Sequence, residues 1–279
     1  MTGFLGNTRE TVVRASSLSQ YPDCARRWAA RTIRGEIKAM GFELRDTSKH
    51  IGAATGSATH VSCAFALEAK MATGELGNLT EAEQRGIAAL DEEVARGVMW
   101  DDTTPDLATG QRQVARQFRA YRLHVAAKVE PVAIEKRLRA DHPRYGLILS
   151  GQSDLIVVRP NTLRDTKTGT RKGANFGQYG TYTRLGRSHG YQIDSIIEDF
   201  IPRVGLTTEQ PPPQEIPYDI KVCENQTERT LAAIAHDLTL FRRTGSPEAF
   251  MANPASYLCG SKWCPAWGTK FCACGRPDR

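Results

Sequence analysis

The sequence contains no run of about 18 apolar residues, so no membrane-spanning helix is expected. Its opening stretch, Met1 to Glu10, is polar and lacks the apolar centre of a secretory signal, which predicts a cytoplasmic chain. There is no internal repeat and no long low-complexity segment. No Cys-x-x-Cys pair is present, which argues against a zinc ribbon. No zinc finger or helix-turn-helix stands out, which argues against base-by-base reading of a DNA site.

What is present is a chain of 279 residues, 40% of them apolar, ample for one elaborated α/β domain. The formal net charge is +6, and the pI is near 9.0. That balance favours a polyanionic partner, with nucleic acid ahead of an anionic membrane. The seven cysteines are Cys24, Cys63, Cys223, Cys259, Cys264, Cys272 and Cys274, and four of them fall in the last 21 residues. In a reducing compartment such clustering points to metal binding rather than disulfides.

The first half reads as mostly helical. Trp28, Ala29, Ile33 and Ile37 give an amphipathic helix from Cys24 to about Lys38. Further helices are predicted over 53–71, from a Thr80 cap with Glu83 three residues later to about Arg96, and over 109–128. The character then changes. Strands are predicted over 129–138, 146–158 and 162–168, joined by tight turns as a meander. A helix over 176–187, strands over 190–201 and 216–223, a helix over 224–243 and a loop-like tail follow. The order predicts an α/β sheet preceded by a helical insertion, not a Rossmann alternation.

Gly151-Gln-Ser-Asp154 lies on the second of the meander strands, and Asp165-Thr-Lys167 lies on the third. Asp165 and Lys167, two apart, share a face of their strand, and a short turn can bring Asp154 beside them. Two carboxylates suit a hard cation such as Mg²⁺ or Mn²⁺, which can polarise a phosphodiester and lower the pKa of an attacking water. A lysine beside them can orient or deprotonate that water and stabilise charge on the phosphate. Glu135, on the preceding strand, is a weaker candidate for the site and reads better as a charged surface residue. An Asp-x-Lys tripeptide alone is common and carries little.

The ordered set carries more. Gly151-x-x-Asp154, Asp165-x-Lys167 and, on the next helix, Gln178-x-x-x-Tyr182 resemble the PD-(D/E)XK nuclease superfamily and its RecB-like branch, from about Ser17 to Cys274. The upstream Gly56-x-x-x-His60 resembles that branch's helical histidine element. The resemblance implies a restriction-endonuclease-like mixed sheet flanked by helices, with an N-terminal helical insertion. It implies a divalent ion held by His60, Asp154, Asp165 and the Thr166 carbonyl, with Lys167 activating water. Gln178 would touch the lysine or the DNA, and Tyr182 the DNA backbone.

The tail thiols, read by themselves, suit either zinc or an iron–sulfur cluster, since both accept four thiolates. Trp263, Trp267 and Phe271 interleave with them and would shield such a centre. Some RecB-like members bind a [4Fe–4S] cluster through one N-terminal and three C-terminal cysteines. Cys24-x-Arg26-Arg27-Trp28 is similar to their N-terminal element. The resemblance then implies Cys24, Cys259, Cys264 and Cys272 as ligands, with Cys274 as the alternative to Cys272. Cys63 and Cys223 read as buried thiols on a helix and a strand.

Basic residues are available for phosphates: Arg26, Arg27, Arg31 and Arg34 on the first helix, Arg112, Arg116, Arg119 and Arg122 on a later one, and Arg164, Arg171, Lys172, Arg184 and Arg187 near the acidic set. Arg27, Arg171, Lys172 and Arg184 are the chosen DNA contacts. The predicted organisation is one nuclease domain over 1–279. Within it, 1–52 carries the first cysteine, 53–128 carries His60, 129–244 forms the nuclease core and 245–279 is the cysteine-rich tail.

The expected activity is Mg²⁺- or Mn²⁺-dependent exonuclease action on single-stranded DNA or duplex ends, rather than endonuclease cleavage. The setting would be recombination, replication or repair, with a recombination or helicase partner and no membrane. The compact size and the lack of helicase motifs resemble phage exonucleases, in the host cytoplasm, or the nuclease of CRISPR adaptation. The alternative is an inactive or zinc-stabilised DNA-binding subunit on the same fold.

Overall fold

The computed structural model describes residues 10–274; the polar start through Arg9 and the last five residues of the tail lie outside them. Strand β1 (Thr11–Arg14) runs into the single turn α1 (Ala15–Leu18), then α2 (Ala25–Thr32) and α3 (Arg34–Ala39). The one amphipathic helix expected here is thus split at Ile33, whose backbone leaves helical geometry between the two. The helical region follows: β2 (Lys49–His50), α4 (Ile51–Thr73), α5 (Leu79–Ala95), β3 (Val98–Met99) and α6 (Leu107–His124). Asn78, not Thr80, caps α5, accepting from the Glu81 N–H. Asp106 caps α6 in the same way through Thr109.

The core is built from β4 (Pro131–His142), β5 (Leu147–Val157), β6 (Thr162–Gly169), α7 (Phe176–Ser188), β7 (Ser195–Pro202), β8 (Gln214–Tyr218) and α8 (Ile220–Thr244). The meander β4–β5–β6 is antiparallel as expected. Beyond it β7 pairs parallel with β6, and β8 returns antiparallel, so the sheet is mixed. The strand expected over 216–223 stops at Tyr218. Asp219 caps α8 through the Val222 N–H, and Cys223 therefore sits on a helix.

Strand β1 was not anticipated. It pairs parallel with the first residues of β5, from Thr11–Leu147 to Arg14–Ser150. On the same side, β6 pairs with β5 only from Leu155 onward. Residues 151–154 of β5 are therefore flanked by neither strand on that side, and β6 diverges there. That opening positions the site.

Helices cover the sheet. Cys63 and Leu67 of α4, with Phe118 and Tyr121 of α6, pack on Leu155, Val157 and Ile201. Tyr179 and Tyr182 of α7, with Cys223 of α8, pack on Ile156, Leu163 and Ile196. The tail is not a loose loop. Phe250, Cys264, Ala266 and Phe271 share one core with Trp28 of α2 and with Leu231, Ile234, Leu238 and Phe241 of α8.

Helices α7 and α8 approach closely because position 180 is glycine. A Cβ there would fall inside contact distance of the Cys223 carbonyl and the Thr227 hydroxyl. Alanine normally favours a helix over glycine by about 1 kcal/mol, but here overpacking against backbone outweighs it. Gly180→Ala is expected to destabilise the protein by about 1–3 kcal/mol. A urea midpoint that falls with an unchanged slope would show this, and an equal or higher midpoint would count against it.

Candidate active site

Three elements deliver the acidic groups. Asp154 comes from the unflanked part of β5, and its Oδ2 accepts the Thr166 N–H of β6 at 2.8 Å. This side-chain bond bridges the diverging strands where the backbone ladder stops. Asp165 and Lys167 lie on β6, and Lys167 Nζ is 2.5 Å from Asp165 Oδ2. His60 comes from α4. Its Nδ1 is 3.4 Å from Asp154 Oδ2 and 3.5 Å from Glu135 Oε1.

Two glycines explain the motif spacings. A Cβ on Gly56 would lie 2.6 Å from the Thr168 hydroxyl, so glycine lets α4 come down on β6 one turn before His60. A Cβ on Gly151 would lie 2.6 Å from the Tyr182 ring, so glycine admits that ring against β5 three residues before Asp154.

Glu135 corrects the reading of it as a surface residue. It sits on β4 between the pairs Ile134–Leu155 and Lys136–Ser153, hence opposite Asp154. Opposed residues on paired strands place their side chains on one face. Its φ is 46°, in the left-handed region that a non-glycine residue rarely adopts. Gln152 Nε2 donates to Glu135 Oε2 at 2.6 Å and holds it. The signal that could have found it was the register of the hairpin, not the residue type.

Donor atoms of His60, Glu135 and Asp154 all lie within 4.8 Å of one another, close enough to share one metal ion. Asp165 is turned aside from this trio. Its Oδ1 accepts from Gln178 at 3.4 Å, and its Oδ2 lies 3.2 Å from the Tyr179 hydroxyl. Thr166 meets Asp154 through its N–H. Behind Asp165, Glu198 Oε2 gathers the hydroxyls of Tyr179 at 2.5 Å and Tyr218 at 3.2 Å. Neither Tyr179 nor Glu198 was singled out from the sequence, and neither carries a motif signature.

The electrostatics match an excess of acid. Burial opposes a charged His60, but Asp154 and Glu135 outweigh it and lift its pKa well above the ordinary imidazole value. Burial would raise Asp154, yet His60, Lys167 and the Thr166 N–H hold it below the usual carboxylate range. Asp165 goes the other way. Burial, joined by the neighbouring Asp154 charge and only partly offset by Lys167, pushes it up to about 7. Burial works against the Lys167 ammonium, but Asp165 and Asp154 more than compensate and raise its pKa. A site of two or three carboxylates and one imidazole that takes up protons in this way fits a divalent cation.

That fit has a measurable consequence. A cation must displace the protons on Asp165 and His60, so its affinity is expected to be weak below pH 7 and to climb as the pH rises through it. The rise should be roughly tenfold per pH unit for each proton displaced. Mn²⁺ titration by calorimetry on either side of neutrality, in buffers of different ionisation enthalpy, would count those protons. A pH-independent affinity with no proton release would refute the assignment.

Several other expected contacts fall elsewhere. Tyr182 is 5% exposed, its ring packs on Ile156 and Leu163 and its hydroxyl accepts from Gln178 at 3.1 Å. Arg27 is 1% exposed and bonds Asp23 and Ser256, which removes it from any DNA surface. Arg184 faces α8 and bonds Glu228 at 3.1 Å. Arg171 and Lys172 are exposed on the loop between β6 and α7. On α6, Arg119 is spent on Glu83 and Arg122 on the Gly77 carbonyl.

Away from the acidic groups in sequence, Cys24, Cys259, Cys264, Cys272 and Cys274 line one small cavity with Arg27 and Trp267. Cys24 caps α2, its sulfur accepting the Arg27 N–H at 3.4 Å. The first-helix arginines brace the tail there. Arg26 Nε reaches the Phe250 carbonyl at 3.0 Å, Arg27 reaches the Ser256 hydroxyl at 2.9 Å and Arg31 the Trp263 carbonyl at 2.6 Å. Cys63 and Cys223 are buried far from this group along the chain, in the helix–sheet cores. Among the described residues, no helix is long and apolar enough to cross a membrane.

The family model described as the PD-(D/E)XK nuclease superfamily matches residues 14–268. Among solved structures, a chain from Eubacterium rectale named a putative exonuclease superposes with a TM-score of 0.56. The alignment covers 88% of each chain at 8% identity, a likeness of fold. No curated protein matches the sequence.

Proposed function

The chain belongs to the PD-(D/E)XK nuclease superfamily, and on that premise we propose that it is a Mg²⁺- or Mn²⁺-dependent exonuclease acting on single-stranded DNA or DNA ends. The observation that carries this reading is the convergence of His60, Glu135 and Asp154 beside the Lys167–Asp165 pair, at the point where β6 leaves β5. These residues would hold the cation, with Asp165 joining once Lys167 is drawn to substrate. When bound, the cation supplies polarisation of the phosphate and a lowered pKa for the attacking water.

The protein's own groups do the rest. Lys167, kept protonated by its acidic neighbours, orients the water and balances charge developing on the phosphate oxygens. Gln178 and Tyr179 hold the Asp165 carboxylate in place. Asp154 ties β5 to β6 through the Thr166 N–H. Arg171 and Lys172, exposed on the loop that follows β6, are the proposed phosphate contacts. The Gly56–His60 and Gln178–Tyr182 spacings support the RecB-like branch, and recombination, replication or repair is the setting that goes with that resemblance.

For the second centre we propose a [4Fe–4S] cluster on Cys24, Cys259, Cys264 and Cys272. The gathering of five thiols on one cavity supports it, since such a cluster takes four. It would act as a structural clasp. The test of the activity is digestion of single- and double-stranded DNA, labelled at the 5′ or the 3′ end, with either cation. Release of single nucleotides from one labelled end is expected. Intact DNA under all conditions would defeat the reading.

A further inference from the structure

Beside the acidic groups lies a cavity of about 540 Å³ that no step above uses. That volume falls within the roughly 300–1,000 Å³ of small-molecule sites, enough for a nucleotide. His60 and Glu135 form its end nearest the acidic groups. Its wall is the outer face of α4, where Val61, Ala64 and Phe65 follow His60 at helical spacing. Val61 is exposed although apolar.

Against Phe65 lies Arg85 of α5. Its guanidinium carbon lies 4.3 Å from the centre of the Phe65 ring. Glu81, one turn earlier, grips it through Nε at 3.2 Å and Nη2 at 2.8 Å. The stacked pair therefore presents a planar surface, half-exposed on its Arg85 side, at the edge of the cation site.

Planar, apolar faces beside a phosphate-cleaving centre suit one chemistry. A nucleobase has a π-face that stacks on an aromatic ring or a guanidinium regardless of its identity. A base inside a duplex is already stacked and paired, so only an unpaired one can enter. Building on the nuclease reading, we infer that the Phe65–Arg85 wall is a subsite for an unpaired nucleobase next to the scissile phosphate, which makes single-stranded DNA the substrate class.

The test uses the full-length protein with Mg²⁺ or Mn²⁺ and single-stranded oligonucleotides, each with one nucleotide near an end made abasic. At the position that reaches the wall, the missing base is expected to lower kcat/KM by roughly tenfold. Phe65→Leu keeps an apolar filler against the neighbouring core, and Arg85→Gln is a surface change that keeps the test open if the first variant unfolds. Each should bring a similar loss on intact DNA and almost no further loss on the abasic strand, because the two changes remove one interaction.

A 2-aminopurine at that position should be quenched on binding to the wild type and much less to Phe65→Leu. Losses that multiply, or abasic strands cut as fast as intact ones at every position, overturn the subsite while the nuclease reading stands. A wild-type protein that hydrolyses no DNA with either cation overturns both.

Discussion

Asp154→Asn is expected to leave the protein folded and to lower the rate of DNA hydrolysis by about three orders of magnitude, the upper end of what one preorganised electrostatic group supplies. The asparagine oxygen can still accept the Thr166 N–H, the bond that spans the gap between β5 and β6. It cannot supply the negative charge that holds His60 protonated and would draw in a cation. Asp154→Ala should lose the same activity and also stability, by about 1–3 kcal/mol, because the Thr166 N–H is left without its acceptor. Comparing the two variants separates chemistry from folding. The measurement is kcat on end-labelled DNA at saturating Mn²⁺, alongside thermal melting. Wild-type rates in Asp154→Asn would remove the metal site from the mechanism.

The largest stability effect is expected at the cysteine cavity. Cys24 and the tail thiols are separated by more than two hundred residues. A cluster joining them restricts the unfolded chain as a long-range cross-link does, on the order of 5 kcal/mol in the chain-entropy picture. For a protein of this size that corresponds to a fall in Tm of roughly 10–20 °C when the link is lost. Cys264→Ser, whose thiol is buried in the core shared by α2, α8 and the tail, should show that fall together with loss of iron. The wild type, isolated without oxygen, should be brown; a colourless zinc protein of equal stability would replace the cluster by a zinc site. Cys272→Ser and Cys274→Ser, compared for iron content, identify the fourth ligand. An unchanged Tm in Cys264→Ser and no metal of either kind would show that packing alone holds the tail.

The meander and its acidic pair were readable because their geometry is local. Asp165 and Lys167 share a strand face by period alone, and a short turn brings Asp154 alongside. Glu135 was readable only as a weaker candidate, since its role depends on the exact β4–β5 register and on a backbone angle that glutamate rarely adopts. Strand β1 is four residues long and earns its place only by pairing with β5 far along the chain. Cys223 was misplaced because the apolar run before it suits strand and helix equally, and only the Asp219 cap decides. The arginines following Cys24 carry the same charge whether they meet a phosphate or a carbonyl of the tail. Their bonds to Phe250, Ser256 and Trp263 are long-range facts invisible in a local window.

That seat of the tail on α2 has a bearing on how the protein is born. At about 5–20 residues per second on the ribosome, Trp28 emerges some ten to fifty seconds before Phe250 and Phe271, which complete the same core. During that interval the apolar side of the first helices lacks its cover, which makes the nascent chain a client for holding chaperones. A transcript truncated before the last cysteines would yield a polypeptide that never hides this surface and so is open to cellular proteolysis.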